Sequence, residues 1–135
     1  MSRHGGPGPG DGPPAPPEPG YAERARTLVH LARSGALSTL SRRHAGHPFG
    51  SVMPYAPDDR GAPLLLISSM AMHTQNLEAD PRASLLLMQP GWAEDPLAGG
   101  RVTLMGQAAR VPDQERPAAR EAYLARQPKA AFWVE

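Results

Sequence analysis

The stretch SSMAMHTQNLEADPRASLLL, Ser68 to Leu87, places Ser68, Ser69, His73, Thr74 and Asn76 within nine residues and puts no charged side chain among them. Each offers a neutral hydrogen-bond donor, and His73 can take up a proton near neutral pH. The spacing predicts a short helix from about Met70 to Ala79, with Ser68 or Ser69 as its cap. The first turn of a helix points unpaired N–H groups outward and carries partial positive charge, so hydroxyls and an imidazole there form a seat for an anion such as a phosphate monoester. The same residues also fit a plain capped helix with a solvated face.

Other constellations carry less chemistry. His44 and His47 stand three apart in a turn with no third ligand nearby, which reads as a solvated turn, and no metal site is expected. His30 reads as a surface position on a helix. Met53, Met70, Met72, Met88 and Met105 have the type for a haem or copper set, but Met serves more commonly as core filler. Ser, His and Asp occur without the strand–turn–helix elbow that acyl transfer needs. GPGPGDG, Gly6 to Gly12, mimics a phosphate loop only in composition, because its prolines lack the N–H groups.

The elements that position these residues follow from periodicity. Tyr21 to Arg33 reads as a helix with Tyr21, Ala25, Leu28, Val29 and Ala32 on one face. ALSTLS (Ala36 to Ser41) alternates like a half-buried strand, and PFGSVMPYAP follows as a second, demoted in part to an edge or bulge by Pro54. After the DDRG turn, APLLLIS reads as a buried third strand. RASLLLMQ is a fourth strand, and RVTLMGQAARV a long fifth, bent or bulged at Gly106. Pro112 opens a last helix that stops before Pro128. Strands joined by tight turns predict a mainly β, mostly antiparallel fold with flanking helices, closer to a small barrel than to an open α/β sheet.

Composition sets the limits. The 135 residues fit one domain, residues 21–135, behind a Pro- and Gly-rich tail over residues 1–20 that is expected to be disordered. No Cys is present, which removes disulfides and thiolate chemistry and fits a cytoplasmic setting. The net charge of +1, with acids and bases interspersed, gives no basic face for nucleic acid. No apolar run reaches the roughly 18 residues of a membrane span.

The order of PFGSV, HTQNL, DPRASL and RVTLMG within Ala25 to Tyr123 resembles the pyridoxamine 5′-phosphate oxidase-like, FMN-binding split-barrel proteins, and among them the haem-utilisation and haem-degrading branch. The resemblance implies a split β-barrel built as a homodimer, with FMN in a groove between subunits. It implies that Ser51 and Met53 lie along the flavin, that Ser68, Ser69, His73 and Thr74 face its phosphate, and that Arg101 reaches the ring or phosphate. Two departures stand out: Ser69 replaces an Arg usual in the family, and the chain ends at AFWVE where relatives continue with further strands. The barrel is therefore expected to be incomplete at its C-terminus. The reading that follows is an FMN-dependent oxidoreductase acting on a small molecule. Its alternatives are a haem-binding or haem-degrading protein on the same barrel, with His73 and Arg101 near the ring and its carboxylates, and a non-enzymatic dimeric module.

Overall fold

Four seven-residue strands form the centre of the structure, a computed structural model that describes residue 10 and residues 12–133. In chain order the elements are α1 (Tyr21–Leu31), β1 (Ser34–Leu40), β2 (Pro48–Pro54), β3 (Ala56–Pro57), β4 (Pro63–Leu64), α2 (Met72–Ala79), β5 (Arg82–Met88), β6 (Arg101–Gln107), α3 (Arg116–Arg126) and a 3-10 turn (Pro128–Phe132). Half of the expected tail, residues 1–9 and 11, lies outside the described residues; residues 12–20 are exposed and form no helix or strand. The chain is mainly β with three flanking helices. Its main sheet is antiparallel and open, in the order β2-β1-β5-β6, and β3 and β4 form a separate ribbon.

The register sorts side chains onto two faces. Gly35 pairs with Met53, and Leu37 with Ser51 and Leu85; Leu85 pairs with Leu104 and Leu87 with Val102. These positions share the inner face, where Leu37, Met53, Leu85 and Leu87 pack with Leu28, Val29 and Ala32 from α1 and its C-terminal end. Full burial of such a side chain contributes roughly 1.5–3 kcal/mol. Tyr55 lies in the same core, and its hydroxyl donates to the Val29 carbonyl at 2.5 Å. Burial pushes its pKa up, with Arg126 opposing. The end of α3 is tied to this layer: Arg126 Nη2 donates to the His30 and Ala32 carbonyls, and Gln127 Nε2 donates to Arg33 O at 2.7 Å and Tyr55 O at 3.0 Å.

Several expectations shift for physical reasons. The expected second strand stops at Pro54 and does not run on past it as an edge or bulge: the chain bends at Tyr55, whose N–H turns back to the Arg33 carbonyl at 3.2 Å. The expected third strand over APLLLIS shrinks to Pro63–Leu64, paired only with Ala56–Pro57. Pro57 and Pro63 have no N–H to extend that ladder. Leu65 and Ile67 still pack against the core without a strand partner. Asp58 shapes the turn, its Oδ1 accepting the N–H groups of Arg60 and Ala62, and Gly61 supplies the φ of +82°. β6 stops at Gln107, and Gly106 pairs regularly with Ala83, without a bulge. Tyr21 is 90% exposed and does not join the buried face of α1. Among the described methionines Met53 alone is core; Met70, Met88 and Met105 are exposed.

Candidate functional site

The polar segment before β5 forms a loop followed by α2, which begins at Met72 with Ala71 as its N-cap. Neither serine caps the helix. Ser68 works one step earlier, its Oγ accepting the Met70 N–H at 3.2 Å and its carbonyl accepting the Ala71 N–H and the Thr74 hydroxyl, the latter at 2.5 Å. The N–H groups of the first helical turn have no acceptor inside the helix, which leaves them to face outward.

The five donors noted in the sequence divide into two groups. Asn76 is fully buried and structural: its Oδ1 accepts the Arg42 N–H at 2.9 Å and its Nδ2 donates to Thr39 Oγ1 at 3.1 Å, which pins α2 to the end of β1. Thr74 is buried and its hydroxyl proton is engaged by Ser68. Ser68 and Ser69 are exposed and His73 is half-buried. Among the described residues, the His73 ring has no hydrogen-bond partner. Its burial pushes the imidazole pKa below the ordinary 6.5, toward the neutral form. The side chains open to a ligand are therefore two serine hydroxyls and one imidazole, with no carboxylate and no cation among them.

The other candidate residues lie elsewhere. Ser51 and Met53 point to the inner face; Met53 is buried, and Ser51 Oγ is a buried hydroxyl with no hydrogen-bond partner. Arg101 opens β6, opposite Met88, at the end of the sheet away from Thr39. Its Nη1 donates to the Leu97 carbonyl at 2.8 Å and bridges toward Pro96 O at 3.5 Å, so it braces the β5–β6 loop. Within one chain Ser68, Ser69, His73 and Thr74 stand together at the loop and start of α2, Ser51 and Met53 lie on the inner face of β2, and Arg101 opens β6.

One feature escaped the residue-by-residue reading. Positions alternating with the core residues form an outer face of two cross-strand rows, Gly50–Ser38–Ser84–Met105 and Val52–Ala36–Leu86–Thr103, flanked by the pairs Pro54–Ser34 and Met88–Arg101. Its side chains are small or apolar, with Arg101 as the charged corner, and Val52, Met88 and Met105 are 81%, 58% and 86% exposed. The run Leu85–Met88 was the available signal, because an unbroken apolar strand is one covered on both faces. Among the described residues no group of three His, Cys, Asp or Glu side chains is placed to hold a metal. No described helix is long and apolar enough to cross a membrane.

Comparison with known proteins agrees with this architecture. The non-canonical heme oxygenase HOZ, chloroplastic, of Arabidopsis thaliana is 44% identical over 115 residues, 84% of this chain and 34% of that protein. Human protein CREG1 is 30% identical over 135 residues, 90% of this chain and 61% of its own length. The chain thus spans about a third to three-fifths of these two relatives. A solved structure of a heme binding protein from Mycobacterium smegmatis superposes with a TM-score of 0.80 at 41% identity, over 87% of this chain and 48% of that one. The chain is therefore related to heme-binding and heme oxygenase-like proteins on a split-barrel fold. The family described as CREG, beta-barrel matches residues 16–135, and the chain belongs to that family.

Proposed function

We propose that this chain is a haem-binding protein, with Ser68, Ser69 and His73 on the polar side of its site, and that it works as a homodimer through the outer face of the sheet. The observation that carries the haem reading is the donor set at the start of α2. A half-buried, unpartnered imidazole stands beside two exposed hydroxyls, with no charged group between them. That set suits a ligand that brings its own metal and carboxylates. The imidazole nitrogen is a common haem-iron ligand, and hydroxyls donate to carboxylates. Haem, when bound, supplies the iron for oxygen or electron chemistry. The chain supplies the nitrogen donor, hydrogen bonds and a shell of set polarity. Desolvation keeps His73 in the neutral form that such ligation needs. The names of the 44% and 41% relatives support the same ligand class.

FMN is the second reading, favoured by the outward N–H groups of the α2 first turn and the adjacent Ser68 and Ser69 hydroxyls, which suit a phosphate. Its weakness is charge. Ser69 stands where the resembled family has Arg, and Arg101 is engaged with Pro96 and Leu97 in the single chain. If FMN binds, an FMN-dependent oxidoreductase remains the reading, with Ser51, Met53 and Arg101 as further contacts. The dimer rests on the outer face, because an uncovered apolar sheet face of this kind marks an association surface.

Absorbance titration of the purified chain with haem and with FMN tests both. The expected result is a saturable Soret band that weakens and shifts in His73→Ala. Tight FMN binding without haem binding would replace the first reading by the second. Binding of neither, in a protein that sediments as a dimer, would leave a non-enzymatic dimeric module.

A further inference from the structure

The turn between β1 and β2 carries a cluster that the haem reading does not use. Arg42, Arg43, His44 and His47 are all exposed, and no acidic residue occurs between Leu40 and Pro57. Ser41, His44, His47, Pro48 and Phe49 line one open cavity of about 220 Å³. The turn is firmly built. Ser41 N–H donates to the His47 carbonyl at 2.8 Å, His47 N–H to the His44 carbonyl at 3.0 Å, and His44 N–H to Ser41 Oγ at 2.9 Å. Gly46 closes it at a φ of +83°, and the Arg42 N–H is anchored on the buried Asn76. Because Ser41 Oγ is an acceptor from His44, its own proton is free to be donated elsewhere. Among the described residues neither the His44 nor the His47 ring has a hydrogen-bond partner. The acids of the neighbouring α2 region are already paired, Glu78 with Arg110 at 3.1 Å and Asp80 with Arg82 at 2.7 Å.

We propose that this turn binds a small oxyanion carried on an apolar body, either a phosphate ester or a carboxylate. His44, His47 and the Ser41 hydroxyl donate to the oxyanion. Arg42 and Arg43 make the local field positive and draw it in. Pro48 and Phe49 form the apolar wall against which its body packs. Two histidines also suit a transition metal, but the flanking guanidinium groups repel a cation, and among the described residues no third ligand is placed to complete a tetrahedral set. The site shares no residue with the proposed haem site, so each can fail alone.

The test is NMR of the histidine ring resonances in the full chain. Phenyl phosphate, benzoate and inorganic phosphate are titrated in turn, with chloride holding the ionic strength constant. Saturable shifts of His44 and His47 are expected, larger in affinity for phenyl phosphate or benzoate than for inorganic phosphate. The tighter of the two aromatic probes identifies the headgroup. Because a hydrogen bond to a charged group is a strong one, His44→Ala and His47→Ala should each weaken binding roughly tenfold. Both side chains are exposed, so the melting temperature should not move. The proposal is overturned if neither ring shifts saturably, if zinc ion shifts the rings and no anion does, or if either substitution leaves affinity unchanged. A shift confined to His73 would also overturn it, and would place the anion on α2.

Discussion

The inner and outer faces of one sheet differ more than any two elements of this chain. On the inner face Leu37, Leu85 and Leu87 are almost wholly buried; on the outer face, one residue along the same strands, Ala36, Leu86 and Met88 meet solvent. Strand propensity cannot explain this, since neighbouring residues share it. The cause is the cover. α1, Tyr55 and the segment through Leu65 and Ile67 pack on one side, while on the other Val52, Met88 and Met105 stand exposed. An apolar sheet face is stable in water only when covered, and this chain supplies one cover for two faces.

The sharpest way to break that contrast is to truncate adjacent leucines of β5. Leu87→Ala, on the inner face, should cost about 2–5 kcal/mol in urea unfolding, as for other buried large-to-small changes. Leu86→Ala should cost well under half as much when measured on the monomer at low concentration. Equal losses would mean that both faces are packed within one chain. Asn76→Ala should follow at about 1–3 kcal/mol, because it leaves the Arg42 N–H and the Thr39 hydroxyl without their buried partner. Gly35→Ala should cost a similar amount, about 1–3 kcal/mol. Its Cβ would sit 2.7 Å from the Leu86 carbonyl oxygen, a backbone atom with little room to move. Thermal melts of these variants give the same ranking if the inner face is the source of stability.

The fold was largely legible in the sequence because hydrophobic period and Pro placement are local signals. β1, β2, β5 and α1 fall within a few residues of where alternation and helical spacing put them, while Pro54, read as an edge or bulge within its strand, ends it. The short ribbon was missed because an apolar run such as LLLIS does not announce whether it will find a partner strand. Leu65 and Ile67 bury themselves without one. The site was legible in part. Ser68, Ser69, His73 and Thr74 stand together at the start of α2 because they are close in sequence. What the sequence could not show is which donors are already taken. Asn76 and Thr74 look like ligand contacts by type, and only their tertiary partners, Thr39, Arg42 and the Ser68 carbonyl, reveal them as internal. Arg101 is similar: the family resemblance implied a contact to the flavin ring or phosphate, while in the single chain the loop carbonyls beside it accept from its guanidinium.

The outer face is sharpened by adding charge instead of removing bulk. Val52→Lys and Met105→Glu sit on exposed positions, so the folded monomer should lose less than about 0.5 kcal/mol. In sedimentation, however, each should weaken self-association by about tenfold or more, because a charge brought into an apolar contact loses its hydration. Wild-type protein that stays monomeric at high concentration would show that a second copy is not the missing cover.

The smallest expected effect is the most discriminating for the site. Burial lowers the His73 pKa below 6.5, so the unfolded chain binds that proton more readily than the folded one. Stability then rises with pH between the folded-state value and 6.5, and falls as the solution is acidified through that window. His73→Gln should flatten this limb of a stability–pH curve while leaving the plateau near neutral pH in place. Ligand affinity as pH falls through the folded-state value separates the two cofactor readings. A haem held by the neutral ring competes with the proton, so its affinity should fall there. A phosphate gains from the charged ring, so FMN affinity should rise over the first part of the same descent, until its own second proton binds near pH 6. Riboflavin, without the phosphate, should show no such rise. Haem affinity that stays flat as pH falls through the folded-state value, in a protein whose His73→Gln variant binds haem equally well, would remove His73 from the site and leave only the serine hydroxyls and the helix start to hold a ligand.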